Sequence, residues 1–216
     1  MMIIGVDEAG RGPLAGPVVA AAVVLHADHT PAGLADSKQL SAQRRSALAS
    51  IIQRESLAYG VGWASVEEID AHNILQATFL AMSRAVQECL ERLSAARGAA
   101  SNVEVHVDGN RAPTHRPGHC EWPYTTRTFI KGDQTQPSIS AASILAKTAR
   151  DAEMHRLHGL YPVYQFNRHA GYGTAVHMKA LEEFGASPVH RVSFAPVARV
   201  LARRPSACST SDAPAP

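Results

Sequence analysis

Four acidic residues lie at or just beyond the ends of short apolar segments that are typical of buried strands. Asp7 and Glu8 follow the first of these segments. Asp108 follows the fourth, and Asp133 comes two residues after the fifth. If these three strands run parallel, the acids meet at one edge of the sheet, where α/β folds place their ligands. Carboxylates gathered in this way repel one another unless a cation binds them.

An all-oxygen site of this kind suits Mg²⁺ or Mn²⁺. Two such ions about 4 Å apart can activate a water and stabilise the leaving oxygen in phosphodiester cleavage. The alternative is structural, because Asp108 with Gly109 also forms an ordinary turn dipeptide. For Asp108 alone the turn is the better explanation, whereas acids behind three separate strands favour the metal site.

The turn after the first strand is rich in glycine and carries one arginine. Gly10, Arg11 and Gly12 begin a formal match to G-x-G-x-x-A, the dinucleotide-binding fingerprint. That motif should open a helix, but here Pro17 and the apolar run Val18 to Leu25 continue as a strand. Glycines beside an arginine still allow a phosphate or sugar to approach the main chain. A plain tight turn is the alternative.

A zinc site is the natural hypothesis for the histidines and cysteine of one loop, His115, His119 and Cys120. Pro117 lies between the two histidines and prevents a helical i, i+4 pair. A fourth ligand is also missing from the neighbourhood. We therefore interpret these three as loop residues.

Hydrophobic periodicity predicts strands alternating with helices. The strands are predicted over Met2–Val6, Val18–Leu25, Tyr59–Ala64, Val103–Val107 and Arg127–Lys131. Helices are predicted from Ser41 to about Leu57, from the Ser65–Glu68 capping box, over 73–97, from Pro137 to about His158, over 174–184 and from Ser187-Pro188. Tight turns between early strands and a long helix before the fourth indicate a mixed sheet with helices on both faces.

Length and composition limit the class of protein. A chain of 216 residues that is 45% hydrophobic and 19% charged indicates one globular domain, predicted over 1–204 with a helical C-terminal part from about 160. The longest apolar run is far short of the ~20 residues of a membrane span, and no secretion signal opens the chain. Three cysteines without C-x-x-C spacing favour a reducing cytoplasm.

The net charge of +2 conceals an uneven distribution. Residues 1–108 hold 8 Lys and Arg against 12 Asp and Glu, a balance of −4, whereas residues 109–216 hold 13 against 7, a balance of +6. An enzyme with a carboxylate site and a polyanionic substrate would show this asymmetry. Uneven surface charge without function explains it equally well. Pro, Ser and Ala dominate residues 205–216, which predicts a disordered tail.

Taken together, the motifs resemble those of the ribonuclease HII family, the bacterial type 2 ribonucleases H. The resembling segments, in order, are Asp7–Val18, Asp36–Leu40, Val107–Asn110, Lys131–Asp133, Ile139–Lys147, His169–Thr174 and His190–Pro196. The resemblance extends from residue 3 to about 197. It implies an α/β, RNase H-like fold, in which helices flank a five-stranded mixed sheet and the C-terminal part is helical.

Carried over residue by residue, the resemblance implies a set of site residues. The implied catalytic and metal-binding carboxylates are Asp7, Glu8, Asp108 and Asp133. The implied reader of the ribonucleotide 2′-hydroxyl is the turn of Gly10, Arg11 and Gly12. Tyr172 is implied to stack on the neighbouring deoxyribose.

The resemblance also implies the activity. It is that of an endonuclease that hydrolyses the RNA strand of RNA–DNA hybrids and cuts 5′ of ribonucleotides embedded in duplex DNA, leaving a 3′-hydroxyl and a 5′-phosphate. The implied cofactor is Mg²⁺ or Mn²⁺, with two ions bound during catalysis. We expect a cytoplasmic monomer that has no membrane partner. One alternative is a related nuclease for branched DNA, which Gly10–Gly12 and Tyr172 disfavour. The other is an inactive hybrid-binding module, which retention of all four acids disfavours.

Overall fold

A five-stranded mixed sheet forms the centre of the protein. The computed structural model describes residues 1–34, 40–97, 102–116 and 120–203. The strands are β1 (Met2–Ala9), β2 (Val18–Val24), β3 (Ala58–Ala64), β4 (Val103–Asp108) and β5 (Thr125–Phe129). Their order across the sheet is β3-β2-β1-β4-β5. Strand β2 is antiparallel to β1 and β3, whereas β4 is parallel to β1 and β5. The predicted mixed α/β sheet is therefore confirmed, together with the parallel trio that the carboxylate hypothesis needs.

Helices cover both faces of the sheet, as predicted. They are α1 (Ala42–Glu55), α2 (Val66–Arg97), α3 (Gly132–Thr135), α4 (Pro137–Leu160), α5 (Phe166–His169), α6 (Ala175–Phe184) and α7 (Ala195–Arg203), with a 3₁₀ turn at Pro162–Tyr164. Helix α2 packs on one face, while α1 and α4 pack on the other. Strand β2 is buried along its whole length because its alternate side chains enter these two cores.

Strand β1 and helix α4 meet main chain against main chain at Gly5. A Cβ atom at Gly5 would lie 2.2 Å from the carbonyl carbon of Ser138 and 2.4 Å from the nitrogen of Ile139. Only glycine permits so close an approach. The contact fixes the start of α4 against the strand that carries Asp7 and Glu8.

Three predicted helix starts, at Ser41, Ser65 and Thr174, are confirmed by capping hydrogen bonds. Ser41 and Thr174 each accept the main-chain N–H three residues further on, at 3.3 Å. Ser65 and Glu68 form the reciprocal capping box, with N–H···O distances of 2.8 and 3.2 Å. The two helices predicted next are confirmed as the two halves of α2, because the backbone leaves helical geometry at Asn73, where φ is 66° and ψ is 162°. The side chain of Asn73 accepts the N–H groups of Leu75 and Gln76 and so caps the second half.

Several predicted boundaries are wrong. Strand β1, predicted to end at Val6, continues to Ala9, so Asp7 and Glu8 lie within the strand and not after it. Strand β5 ends at Phe129 because Lys131 adopts a left-handed conformation that no strand can continue. Helix α4, predicted to end at about His158 before Gly159, ends at Leu160. The last helix begins at Ala195, because the Ser187 N–H donates to the ring of His190 and closes a turn there.

Two further predictions concern the whole chain. Within the described ranges, no helix combines the length and the apolar character that crossing a membrane requires. The predicted tail, residues 205–216, lies outside the described residues, as do residues 36–39 of the Asp36–Leu40 motif.

Candidate active site

The parallel pairing of β1 with β4 brings two predicted acids side by side. The two strands stay in register up to the residues directly before Asp7 and Asp108. Asp7 is buried and its Oδ1 accepts the main-chain N–H of Glu8 at 2.7 Å. The side chain of Ser143, on α4, also faces Asp7 and acts to lower its pKa. Helix α4 therefore supports the edge from one face of the sheet.

Burial and mutual repulsion act together on these acids. Burial raises the pKa of Asp7 well above its usual value, and the charges of Glu8 and Asp108 raise it further. Burial also raises the pKa of Glu8, although Arg11 opposes this shift with its Nη1 3.1 Å from a Glu8 oxygen. The acids are thus close enough to disfavour one another's charge, and a bound cation would reverse that effect.

The turn after β5 places the fourth predicted acid against Asp108. The main-chain N–H of Asp133 donates to Oδ1 of Asp108 at 3.3 Å, and Asp133 is buried. A Cβ atom at Gly132 would lie 3.3 Å from the same oxygen. The left-handed Lys131 turns the chain at this point. All four predicted acids therefore reach one edge of the sheet, which we call the carboxylate edge.

The carboxylate edge suits a divalent cation in donor type and in charge. Its oxygen donors are those that Mg²⁺ and Mn²⁺ prefer. The pKa of Asp7 is raised first by burial and then by the charges of Glu8 and Asp108, and a cation would relieve that repulsion. Within the described part of the chain, no three His, Cys, Asp or Glu side chains already surround a common point as ligands. Side-chain rotation at the edge would have to accompany binding of an ion.

Two buried arginines hold the turn between β1 and β2. Arg191 donates to four main-chain carbonyls at 2.6–3.2 Å, those of Gly10, Arg11, Gly16 and Pro17. Arg150 donates to three at 3.0–3.2 Å, those of Ala15, Pro17 and Ala170. Strand β2 follows at Val18, so the glycine motif opens no helix, as predicted.

The arginines also leave positive charge beneath this turn. Burial, together with the nearby charge of Arg150, lowers the pKa of Arg191 to about 9, so both side chains remain cationic at neutral pH. A Cβ atom at Gly10, whose φ is +97°, would lie 1.9 Å from Nε of Arg150. The glycine is required both for its conformation and for the closeness of the guanidinium. Fixed cations at this depth favour an anionic ligand above the turn.

The turn, Tyr172 and Glu8 line one cavity of about 430 Å³. Tyr172 is 48% exposed, and a Cβ atom at Gly12 would lie 3.4 Å from its ring. The carbonyl of Gly171 accepts the N–H of Leu14 at 2.8 Å, which joins the two loops. The residues predicted to bind substrate, Gly10, Arg11, Gly12 and Tyr172, are therefore together beside the carboxylate edge.

A second cavity, of about 250 Å³, lies on the far side of Glu8 and Arg11. Asp108 lines it, together with side chains of α2 that include Phe79 and Met82. Because Glu8 and Arg11 line both cavities, the two cavities are neighbours that meet at these side chains. An elongated ligand could cross the acids along them.

Sequence reasoning missed Arg150 and Arg191. Arg150 carried a usable signal, because it continues the apolar stripe of α4 between Ala146 and Met154, where an apolar residue is expected. Arg191 lies in the His190–Pro196 segment that resembles the family, but that segment shows no periodicity that would predict burial of the side chain. Of the loop residues considered for zinc, His115 accepts the N–H of Trp122 at 3.2 Å, while His119 lies outside the described residues.

Comparison with known proteins identifies relatives over most of the chain. Residues 4–197 match the family model described as Ribonuclease HII. The Ribonuclease HII of Halorhodospira halophila is 55% identical over 199 residues, which cover 92% of this chain and 94% of that protein.

Solved structures show the same likeness in three dimensions. The crystal structure of ribonuclease H2 from Pyrococcus horikoshii OT3 has a TM-score of 0.70 at 25% identity, covering 94% of this chain and 98% of that one. That of Bst-RNase HIII in complex with Mn²⁺ has a TM-score of 0.71 at 20% identity, covering 94% and 71%. At 20% identity the likeness concerns the fold alone.

Proposed function

The chain belongs to the ribonuclease HII family of metal-dependent endonucleases, which act on the RNA strand of RNA–DNA hybrids, and we propose that the carboxylate edge is its catalytic site. The catalytic and metal-binding residues in this proposal are Asp7, Glu8, Asp108 and Asp133. One observation carries it: acids of the neighbouring parallel strands β1 and β4 meet an acid from the turn after β5, where burial and repulsion raise the pKa of Asp7 and Glu8. Such perturbed groups concentrate at functional sites.

Mg²⁺ or Mn²⁺ would be held by these carboxylates, and two ions would take part. When bound, they supply Lewis-acid chemistry, lowering the pKa of the attacking water and neutralising charge on the leaving 3′-oxygen. Glu8 is paired with Arg11 at 3.1 Å, so a cation at Glu8 would release this guanidinium. Arg11, half exposed in the cavity, could then bind a substrate phosphate.

In this proposal, Gly10, Arg11 and Gly12 select the ribonucleotide. The carbonyls of Gly10 and Arg11 point toward Arg191. Because C=O and N–H of a trans peptide point in opposite directions, the N–H groups of Arg11 and Gly12 point away from it. Both residues line the cavity, where such donors could bind a 2′-hydroxyl. That hydroxyl is the group that distinguishes RNA from DNA.

Tyr172 would stack on the deoxyribose that follows the ribonucleotide. Its half-exposed ring lies beside Gly12, at the distance of van der Waals contact from a Cβ built there. The expected cut is then on the 5′ side of the ribonucleotide, leaving a 3′-hydroxyl and a 5′-phosphate. The protein would act as a monomer in the cytoplasm, removing misincorporated ribonucleotides and primers. The free, buried Cys89 and Cys120 are consistent with a reducing compartment.

Metal titration against a defined duplex tests the proposal. MgCl₂ and MnCl₂ are added separately to metal-stripped protein with an end-labelled DNA duplex that contains one ribonucleotide. An all-DNA duplex of the same sequence and a branched DNA are the matched substrates. We expect cleavage that depends on the divalent ion, occurs once, and leaves a 3′ end that a polymerase can extend. Cleavage in EDTA, or equal cleavage of the all-DNA or branched substrate, would contradict the proposal.

A further inference from the structure

A buried cluster of histidines lies behind Tyr172 and has no part in the chemistry proposed above. His177 and His190 are 0% and 1% exposed, and they pack with the rings of Tyr164 and Phe166. His169 stacks on His177, with the ring centroids 4.6 Å apart and the planes at 14°. Apolar side chains could fill this core equally well, so packing alone does not explain why histidines occupy it.

Main-chain groups at both ends determine which nitrogens carry protons. His177 Nδ1 lies 2.9 Å from the carbonyl oxygen of Tyr172, which can only accept, so Nδ1 is the donor. His190 Nδ1 lies 3.0 Å from the main-chain nitrogen of Ser187, which can only donate, so this Nδ1 is the acceptor. The two Nε2 atoms are 3.0 Å apart. Neutral rings therefore form one directed chain, in which His190 Nε2–H donates to His177 and His177 Nδ1–H donates to Tyr172.

The rest of the Tyr172 loop is tied to the same cluster. His169 Nδ1 accepts the N–H of Gly171 at 3.2 Å, and the carbonyl of His169 accepts the N–H of Tyr172 at 2.9 Å. Burial lowers the pKa of His177, and it lowers that of His190 to about 4, with the charge of His177 contributing. Both rings are accordingly neutral at physiological pH, the state that the directed chain requires.

We infer that His177 and His190 are positioning residues for Tyr172, which they hold against the Gly10–Gly12 turn so that its ring meets the substrate in one orientation. The inference rests on the proposed substrate-binding role of Tyr172. Tyr172 has glycine on both sides, so its local backbone supplies little restraint of its own. The hydrogen bond from His177 to the carbonyl of Tyr172 provides that restraint, and His190 orients the His177 ring.

Steady-state kinetics in a double-mutant cycle test the inference. His177→Leu removes the donor to Tyr172, and on the single-ribonucleotide duplex it should raise KM about two- to tenfold, the effect of one net hydrogen bond. The kcat value should stay within about twofold, because the carboxylate edge is untouched. In a Tyr172→Ala background the same substitution should have no further effect on KM. His177→Asn, which keeps an N–H donor near the position of Nδ1, should recover most of the loss.

Tyr164→Phe is the matched control. It removes the hydrogen bond of the Tyr164 hydroxyl to the carbonyl of Gly185, 2.8 Å, within the same cluster but without touching the histidine chain. We expect it to lower the melting temperature and leave KM unchanged. Nitrogen-15 NMR of labelled histidine should in addition show a neutral Nδ1–H tautomer for His177 and a neutral Nε2–H tautomer for His190.

The outcomes separate this inference from the proposed function. If Tyr172→Ala leaves KM unchanged, the substrate role of Tyr172 is wrong and the inference loses its basis. If Tyr172→Ala raises KM but His177→Leu does not, or if the two effects add, only the inference is overturned. A KM raised equally by Tyr164→Phe, or the opposite tautomers, would also overturn it.

Discussion

The Gly10–Pro17 turn begins two residues after Glu8, the last acid of β1 in the carboxylate edge, yet the two regions contribute to stability in opposite ways. At the edge, burial and the charges of neighbouring acids raise the pKa of Asp7 and Glu8, so folding disfavours the ionised form of these two groups. In the turn, Arg191 and Arg150 supply donors to carbonyls that would otherwise be buried without partners. The carboxylate edge therefore destabilises the folded state in the absence of a cation, whereas the hydrogen bonds of the turn stabilise it.

Activity and stability can therefore be separated within one site. A neutral substitution at the edge removes the chemistry and also removes repulsion. A neutral substitution beneath the turn removes hydrogen bonds that stabilise the protein and position the substrate. Variants of the two regions test that contrast through cleavage rate and unfolding free energy.

Asp108→Asn should abolish cleavage and leave the protein folded. A neutral amide is a poor substitute for a carboxylate that holds cations. Single-turnover cleavage of the one-ribonucleotide duplex in Mg²⁺, together with a thermal melt, measures both properties. Near-normal turnover would mean that the catalytic site lies elsewhere.

Asp133→Asn should reduce cleavage far more than Asp151→Asn. Asp133 is buried against Asp108, whereas Asp151 is partly exposed on α4 and pairs with Lys147 and Arg45. Both substitutions remove one negative charge, so Asp151→Asn is a matched control for net charge. The reverse ranking of their cleavage rates would exclude Asp133 from the site.

Arg191→Met should lower both stability and activity, in contrast to the edge variants. Four main-chain carbonyls lose a buried donor, and each such loss costs about 1–3 kcal/mol, so we expect at least roughly 3 kcal/mol of lost unfolding free energy. Urea denaturation measures this loss, with Arg199→Met on the exposed face of α7 as the control. An equal, small loss in the two variants would show that the turn does not depend on Arg191.

Tyr172→Ala should weaken cleavage of a single embedded ribonucleotide by about tenfold to hundredfold, the ~1–3 kcal/mol of a stacking contact. Tyr172→Phe should keep most of the activity, because the face of the ring makes the contact. Thermal melts of both variants should be close to that of the parent protein, since the side chain is half exposed. A substantial melting loss in Tyr172→Ala, or equal damage in Tyr172→Phe, would exclude stacking.

Asp7→Asn should raise the melting temperature at neutral pH in EDTA while it abolishes cleavage. The folded pKa of Asp7 is raised, so the folded state binds more protons than the unfolded chain, and stability falls as pH rises through that range. Asparagine removes this loss, for a gain on the order of 1 kcal/mol, or roughly 2–4 °C. A lower melting temperature than that of the parent protein at pH 7 would contradict the account of the edge.

The two regions also differed in how well the sequence predicted them. The carboxylate edge followed from short apolar strands and the acids behind them, because local periodicity determines where strands end. Even the error in β5 did not displace Asp133, since the turn at Lys131 and Gly132 returns it to Asp108.

The supports of the turn could not be predicted in this way. Arg150 reaches Pro17 across 133 positions, and Arg191 reaches Gly10 across 181. No periodicity links residues so far apart, because the contacts exist only after the sheet and the C-terminal helices have packed. The same holds for the start of α7, where Ser187 and His190 close a turn in place of the helix that Ser187-Pro188 suggested.

The glycine contact between β1 and α4 has a consequence for how this enzyme can vary. In a core made of side chains, a larger residue at one position can be compensated by a smaller residue nearby. The Gly5 contact joins main chain to main chain, so no side chain there can compensate in this way. Asp7 lies two residues beyond it on the strand, and Ser143 lies five beyond Ser138 on the helix. Substitutions in the surrounding core should therefore shift the strand and the helix as one body. The position of Asp7 relative to α4 should therefore stay the same when residues elsewhere in the core are substituted.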